Sequence, residues 1–193
     1  MARTNRKGFT LVELMVVIAV MSITVAAIPA IWTWQGVART NTAVRGLAAD
    51  LRMARSVAVD RNHDVVVEFD AANNAYAIYA DADGDGPEID ELIKSVQLSE
   101  LGKSVVFGSN SSAKIGGDDF VAAVDLDGSP SPARITLKAN GEALRWGALY
   151  LASAKDLQSG DTDRNRAVQI LKTGRVSMLR WTGGSPDPWI EYY

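Results

Sequence analysis

The 193-residue chain contains no cysteine and a single histidine, His63. The absence of cysteine excludes a disulfide framework and thiol chemistry. A hydrolytic triad would have to use His63, yet no nucleophile motif is present. A P-loop and a dinucleotide-binding fingerprint are also missing. These absences predict a structural protein, not an enzyme, that requires no cofactor.

Charge is absent from one long stretch, since no Asp, Glu, Lys or Arg occurs between Leu14 and Gln35. These 22 residues suffice for a membrane-spanning helix, which needs about 20. Trp32 and Trp34 close the stretch, where aromatic residues at the membrane interface belong. Glu13 lies at its beginning, and an acidic residue inside such an apolar run costs at least a few kcal/mol. Glu13 is therefore a candidate functional residue.

The remaining charge is distributed unevenly. Residues 1–62 have a net charge of +5, and residues 63–193 have a net charge of −8. Three of the basic residues, Arg3, Arg6 and Lys7, precede the apolar run and predict a cytoplasmic N-terminus by the positive-inside rule. The acidic region would then lie on the other side of the membrane.

The segment Gly8-Phe9-Thr10-Leu11-Val12-Glu13-Leu14, with the apolar residues that follow, resembles the N-terminus of type IV pilins and type II secretion pseudopilins. The resemblance implies that a prepilin peptidase cleaves between Gly8 and Phe9 and that Phe9 is then N-methylated. It also implies an assembly role for Glu13, whose carboxylate would neutralise the Phe9 ammonium of a neighbouring subunit. The alternatives are an ordinary secretory signal peptide cleaved near 25–27 and a plain membrane anchor.

Four consecutive regions follow from these patterns. We expect a cleaved leader over 1–8, a transmembrane and assembly helix over 9–35, an amphipathic continuation over 36–62, and a β-rich globular domain over 63–193. The continuation carries an apolar stripe with helical spacing. That stripe consists of Leu47, Leu51, Ala54 and Ala58.

The rest of the chain reads as strands and turns. Residues 64–70 are rich in β-branched side chains, and Asn73-Asn74 forms a turn that predicts a hairpin with 76–79. The predicted fold class is therefore α+β and pilin-like, a long N-terminal helix with a membrane-spanning first half, packed on antiparallel β-sheets. The further strands are predicted at 92–99, 103–108, 120–126, 134–139, 147–152, 167–172 and 175–181.

Three later segments, 47–62, 135–141 and 167–176, resemble the group formed by minor pseudopilin H and the minor pilin FimT. Many major pilins have a C-terminal disulfide loop, so the lack of cysteine also favours a minor subunit. The stretch 109–132 matches nothing in the group.

The resemblance implies a structural subunit of a type II secretion pseudopilus, located at or near the fibre tip. The alternative is a minor pilin of a type IV pilus that acts in assembly priming or DNA uptake. Expected partners are other pseudopilins or pilins through the helix, prepilin peptidase, inner-membrane lipid and secreted cargo. The expected location is the bacterial inner membrane, single-pass with a periplasmic domain, and the periplasmic pseudopilus after assembly.

One loop has the pattern of a calcium ligand set. Asp81-Ala82-Asp83-Gly84-Asp85-Gly86 matches the first half of an EF-hand loop, in which alternating carboxylates converge on a hard cation. The twelfth position is Leu92 instead of glutamate, so Glu88, Asp90 and Glu91 are candidate substitutes. The alternative is an acidic, solvated hairpin tip. A bound Ca²⁺ would be structural.

Two features near the C-terminus have alternative interpretations. Lys172, Arg175 and Arg180 are candidate nucleic-acid contacts. The net charge of −8 opposes phosphate binding, so DNA is a disfavoured partner. The aromatic residues predict either a contact surface or core packing at a strand edge. These are Trp181, Trp189, Tyr192 and Tyr193.

Overall fold

The computed structural model describes residues 10–116, 118, 122–128, 131–184 and 187–192, and only the backbone of 25–35. Helix α1 spans Leu11–Arg61. The chain divides into two compact units, 1–36 and 37–193. Within the described residues, ten strands and two short α-helices follow α1: β1 Asp64–Asp70, β2 Ala75–Asp81, β3 Leu92–Gln97, α2 Leu98–Leu101, β4 Val105–Phe107, β5 Val124–Leu126, β6 Ala133–Leu137, β7 Gly147–Ser153, α3 Ala154–Ser159, β8 Arg166–Ile170, β9 Val176–Trp181 and β10 Trp189–Tyr192.

The strands of the second unit form two antiparallel sheets. The first has the order β3-β2-β1-β6. The second has the order β10-β9-β8-β7-β4, with β5 also paired to β7. The predicted hairpin is confirmed, because Phe69 pairs with Tyr76 and Asp70 with Ala75 across the turn. The predicted fold class, an N-terminal helix on antiparallel sheets, is confirmed.

The main core lies between the second part of α1, residues 37–61, and both sheets. All four residues of the predicted stripe are at most 1 % exposed. They pack against alternate residues of the first sheet, such as Val65 and Val67, and of the second, such as Leu149 and Leu151. Alternation is expected because successive side chains of a strand point to opposite faces. Burial of one helical stripe against two sheets explains why its spacing is visible in the sequence.

The opposite face of the second sheet has its own smaller core. Tyr150 and Trp189 lie 5.3 Å apart between ring centres, and Trp181 lies 5.4 Å from Trp189. The Trp189 indole N–H donates to the Ala113 carbonyl at 2.9 Å. The Ile115 N–H donates to the Tyr150 hydroxyl at 2.8 Å. These bonds assign a structural role to residues 113–115 of the unmatched stretch, which cover part of this sheet face.

The C-terminal aromatics are therefore used mainly inside the domain. Trp189 is 2 % exposed and belongs to the core, so the contact-surface interpretation is wrong for this residue. Trp181 and Tyr192 are partly buried and pack against the two core clusters. Tyr193 lies outside the described residues. The sequence analysis did not predict β10, which adds Trp189 and Tyr192 to the edge of the second sheet.

Several predicted strand ends were too long. Gln97 pairs with Ala75, the first residue of β2, so residues beyond Gln97 have no partner strand and turn into α2. Ser104 has a left-handed φ of 69°, which delays β4 until Val105. The strands predicted over 134–139 and 167–172 end at Leu137 and Ile170, because turns begin there.

A polar network joins α1 to the first sheet. The Tyr76 hydroxyl donates to the Asp50 carboxylate at 2.6 Å, and the Lys94 ammonium donates to it at 2.7 Å. Asp50 is 9 % exposed, so these two donors replace the water that the carboxylate loses on folding. Burial and then the hydrogen bond to Asp50 raise the pKa of Tyr76. Lys94 comes from the edge strand β3, so the network fixes that edge to the helix.

Candidate functional site

The beginning of α1 holds the predicted assembly carboxylate. The Glu13 backbone N–H donates to the Thr10 hydroxyl at 3.2 Å, so Thr10 caps the helix. Thr-x-x-Glu is the capping-box pattern, and a carboxylate in the first turn interacts favourably with the helix dipole. This local role of Glu13 was missed, although the pattern is readable in the sequence. Gly8 and Phe9 lie outside the described residues, so cleavage between them stays a prediction.

The first part of α1 presents apolar side chains on all sides. Leu11 is 75 % exposed, and Val17, at the low end of this group, is 47 % exposed. The described residues contain no helix that meets the length and apolarity needed to cross a membrane. The exposed apolar side chains of this segment are Leu11, Val12, Leu14, Met15, Val16, Val17, Ile18, Val20, Met21 and Ile23.

The acidic loop brings together four of the six candidate calcium ligands. Carboxylate oxygens of Asp81, Asp83 and Asp85 lie within 4.8 Å of one another, and Glu91 is the fourth member of the group. Glu88 and Asp90 do not belong to it. Glu91 is placed by the short 3₁₀ turn Ile89–Glu91, and its carboxylate accepts a hydrogen bond from the Ala82 N–H at 2.9 Å.

The loop is organised by its first carboxylate. Asp81 is 9 % exposed and accepts hydrogen bonds from the N–H groups of Gly84 at 3.0 Å and Gly86 at 3.3 Å. A hydrogen bond with Asp83, and then the negative charge of Asp83, raise the pKa of Asp85. The charges of Asp85 and Asp90 raise the pKa of Glu88. Like charges therefore repel one another in this loop, and calcium binding stays a prediction.

The three predicted nucleic-acid contacts have different surroundings. The Lys172 ammonium lies 5.7 Å from the centre of the Trp146 ring. Arg175 forms an ion pair with Glu191 at 2.8 Å. Arg180 is exposed on β9, where it pairs in register with Arg166. Two of the three cations thus interact with other groups of the same domain.

Comparison with known families gives two matches that together cover most of the chain. The prokaryotic N-terminal methylation motif matches residues 3–29. The family described as type II transport protein GspH matches residues 43–174. The chain belongs to the GspH family. It is thus a GspH-like minor pseudopilin or minor pilin, as its sequence resemblance implied.

Solved structures with a similar fold include the minor pseudopilin EpsH from the type 2 secretion system of Vibrio cholerae. That structure has a TM-score of 0.50 and 13 % identity, and covers 74 % of this GspH-family chain and 97 % of its own. The type IV minor pilin FimU of Pseudomonas aeruginosa PAO1 has a TM-score of 0.44 and 18 % identity, with 70 % and 84 % covered. The comparison with curated proteins gives no significant match. The EpsH likeness shows a shared fold.

Membership of the GspH family indicates which class of protein this chain is. Its members are structural subunits that interact with other pilin-like proteins, and they are not enzymes. The methylation motif and the family together imply a membrane-anchored pseudopilin. The two parts of α1 have very different exposure to solvent.

Proposed function

We propose that this minor pseudopilin joins a type II secretion pseudopilus through the first part of α1, at or near the fibre tip. The observation that carries the proposal is the exposed apolar surface of residues 11–23 beside the carboxylate of Glu13. A segment that is apolar on all sides requires an apolar environment on all sides. Lipid supplies it before assembly, and helices of neighbouring subunits supply it afterwards.

The maturation pathway follows from the methylation motif. Prepilin peptidase would cleave after Gly8 and leave Phe9 as the methylated N-terminus. The basic leader would keep this end cytoplasmic, and the acidic domain would lie in the periplasm. The intact mass of protein recovered from membranes tests this step. A chain that begins near Ala27 instead would identify a secretory signal peptide.

Glu13 would couple assembly to charge neutralisation. An ammonium and a carboxylate are each costly in an apolar environment, and the ion pair costs less than the two separate charges. An incoming subunit would form this pair, Glu13 with the Phe9 ammonium of its neighbour, only on reaching the fibre. No metal or cofactor is needed for this step.

Substitutions at Glu13 separate its pairing role from its capping role. Glu13→Gln keeps a capping side chain and removes the charge, whereas Thr10→Ala removes the cap and keeps the charge. We expect Glu13→Gln to reduce cross-linking into sheared pseudopili at least tenfold, and Thr10→Ala to assemble nearly normally. Equal assembly of Glu13→Gln and the unmodified protein would contradict the pairing role.

The phenotype of a gene deletion distinguishes a role in a type II secretion pseudopilus from a role in a type IV pilus. In a secretion role, exoproteins accumulate in the periplasm while twitching motility is intact. In a type IV pilus role, twitching or DNA uptake is lost while secretion is intact. The domain would contact other minor subunits or secreted cargo in the first case.

A further inference from the structure

A groove of about 680 Å³ lies between the second part of α1 and the turn that precedes β9. All of its lining residues belong to the second compact unit of the chain. Three of them are exposed arginines, and one is an acidic residue. The groove is lined by Arg52, Arg55 and Asp60 from the helix and by Gly174 and Arg175 from the turn, with exposed Val59 as its apolar part.

Two turns hold Arg55 in a fixed position. Its Nε donates to the Gly141 carbonyl at 2.8 Å, and its Nη2 donates to the Thr173 carbonyl at 3.3 Å. A Cβ atom at Gly174, which has a φ of 72°, would lie 2.7 Å from Arg55 Nε. Glycine at 174 therefore permits both the left-handed turn and the close approach of the guanidinium.

The positive charges of two arginines are not neutralised. Arg52 also donates to a backbone carbonyl, that of Val176, at 3.1 Å. In the part of the chain that the structure describes, neither Arg52 nor Arg55 forms an ion pair with a carboxylate. Carbonyl oxygens orient a guanidinium and leave its net charge available to a ligand.

The third arginine shows which ligand these cations accept. Nη2 of Arg175 donates to both carboxylate oxygens of Glu191, at 2.8 and 3.0 Å. A carboxylate from the same domain is thus already bound at the edge of the groove. Guanidinium groups match carboxylates in geometry as well as in charge.

We propose that this groove binds a carboxylate-bearing segment of another pseudopilin. The inference rests on the proposed function, because it assigns a surface to the contact between minor subunits. The volume lies in the roughly 300–1,000 Å³ range of small-ligand clefts, so a few side chains enter it. Val59, which is 51 % exposed, provides an apolar contact beside the acidic one.

A protein partner fits this groove better than DNA does. The compact unit that contains the groove, residues 37–193, has 17 Lys and Arg and 22 Asp and Glu, and its net charge of −5 repels a polyphosphate over long distances. Asp60 adds a negative charge within the groove. A short acidic segment needs only the local positive charge, whereas duplex DNA requires a row of phosphate contacts.

The test uses the full chain in membranes of the producing bacterium, with a photo-cross-linking amino acid at position 59. We expect a cross-link to another pseudopilin that maps to a segment with at least two Asp or Glu residues. In Arg52→Glu/Arg175→Glu its yield should fall at least tenfold. Lys103→Glu/Lys155→Glu makes the same charge change outside the groove and should leave the yield unchanged.

Two further variants separate binding from folding. Arg52→Gln/Arg175→Gln removes the charges without adding carboxylates, and Arg55 is retained because it holds the two turns. Both groove variants should have a urea midpoint close to that of the control, because the Arg175–Glu191 ion pair that they lose is largely exposed. Exchange of the mapped acidic residues of the partner for lysine should restore the cross-link to Arg52→Glu/Arg175→Glu.

Several results would overturn the inference. They are an absent cross-link, a mapped segment without carboxylates, an unchanged yield in both groove variants, or binding of a 20-base-pair DNA duplex that these variants abolish. Glu13-dependent assembly, measured in the same cells, distinguishes the two proposals. If one of these results is obtained while assembly still depends on Glu13, only the groove inference fails. If Glu13→Gln assembles into the fibre as well as the unmodified protein does, the assembly proposal fails.

Discussion

The two described parts of α1 differ in how they meet their surroundings. In the first, Leu11 is 75 % exposed and Ile18 is 55 % exposed. In the second, Leu47 is fully buried and Leu51 is 1 % exposed. The same residue types therefore lie at opposite extremes of exposure within one helix.

The difference lies in how the apolar residues are arranged. In residues 11–23 they occur on every side, so no single sheet could cover them. In residues 43–58 they form one stripe, and charged residues such as Arg45 and Arg52 are exposed. The two sheets of the domain bury a single stripe of this kind. An all-round apolar surface is suited to lipid or to a bundle of other helices.

The largest effect is expected from shortening a buried side chain. Leu51→Ala should lower the free energy of unfolding by about 2–5 kcal/mol, because it leaves a cavity between α1 and the sheets. Ile18→Ala should change it by less than about 0.5 kcal/mol, since the side chain is exposed. Urea unfolding of the full chain in detergent measures both. A similar loss of unfolding free energy in Leu51→Ala and Ile18→Ala would contradict the difference between the two parts of α1.

The acidic residues of the helix give a smaller contrast. Asp50→Ala leaves the Tyr76 hydroxyl and the Lys94 ammonium without their shared partner, and each buried unsatisfied group costs about 1–3 kcal/mol. Lys94 is 41 % exposed and regains water, so the cost arises mainly at Tyr76. Glu13→Ala should affect assembly and leave domain stability nearly unchanged. Urea unfolding and fibre cross-linking should thus respond to different variants.

The smallest effect is expected in the acidic loop. Its carboxylates would bind a cation, whereas the first part of α1 would bind apolar groups. The raised pKa values of Asp85 and Glu88 mean that the folded loop binds protons more tightly than the unfolded chain. Its repulsion therefore destabilises the fold at neutral pH, and stability is regained as the pH falls through those raised values. Asp85→Asn should raise the melting temperature in chelator at pH 7.

In chelator Asp85→Asn should melt at a higher temperature than the unmodified chain, and calcium should reverse this order. Ca²⁺ would neutralise the cluster and raise the melting temperature of the unmodified chain, by about 2–4 °C for each kcal/mol of stabilisation. Asp85→Asn should gain less from calcium, because it lacks one ligand. Asp118→Asn, at an exposed acidic residue outside the cluster, serves as the control. A melting temperature that calcium leaves unchanged in the unmodified chain would contradict the calcium prediction.

Local patterns in the sequence predicted much of the fold. The stripe of α1 and the first hairpin depend on spacing within a few turns or a few residues. The carboxylates of Asp81, Asp83 and Asp85 converge because they alternate along one loop. Of the three candidates for the fourth carboxylate, Glu91 joins the group, because the 3₁₀ turn returns it to the start of the loop. The capping role of Thr10 was readable and was overlooked.

Contacts between distant segments could not be predicted. Trp189 reaches Ala113, and Arg55 reaches Gly141 and Thr173, across long sequence separations. Such pairs depend on strand order, which alternation along single strands does not determine. The same limit applies to the groove, where arginines of the helix meet an arginine of a turn more than a hundred residues later.

The sequence by itself determined the family, the N-terminal motif, the helix with its two kinds of apolar surface, and the α+β class. Each of these depends on residues that are neighbours along the chain. Tertiary structure decided that Trp189 is part of the core, that residues 113–115 cover a sheet face, and that Arg52, Arg55 and Arg175 share a groove. Antiparallel pairing brings these residues together, and that pairing is selected by the packing energy of the whole domain.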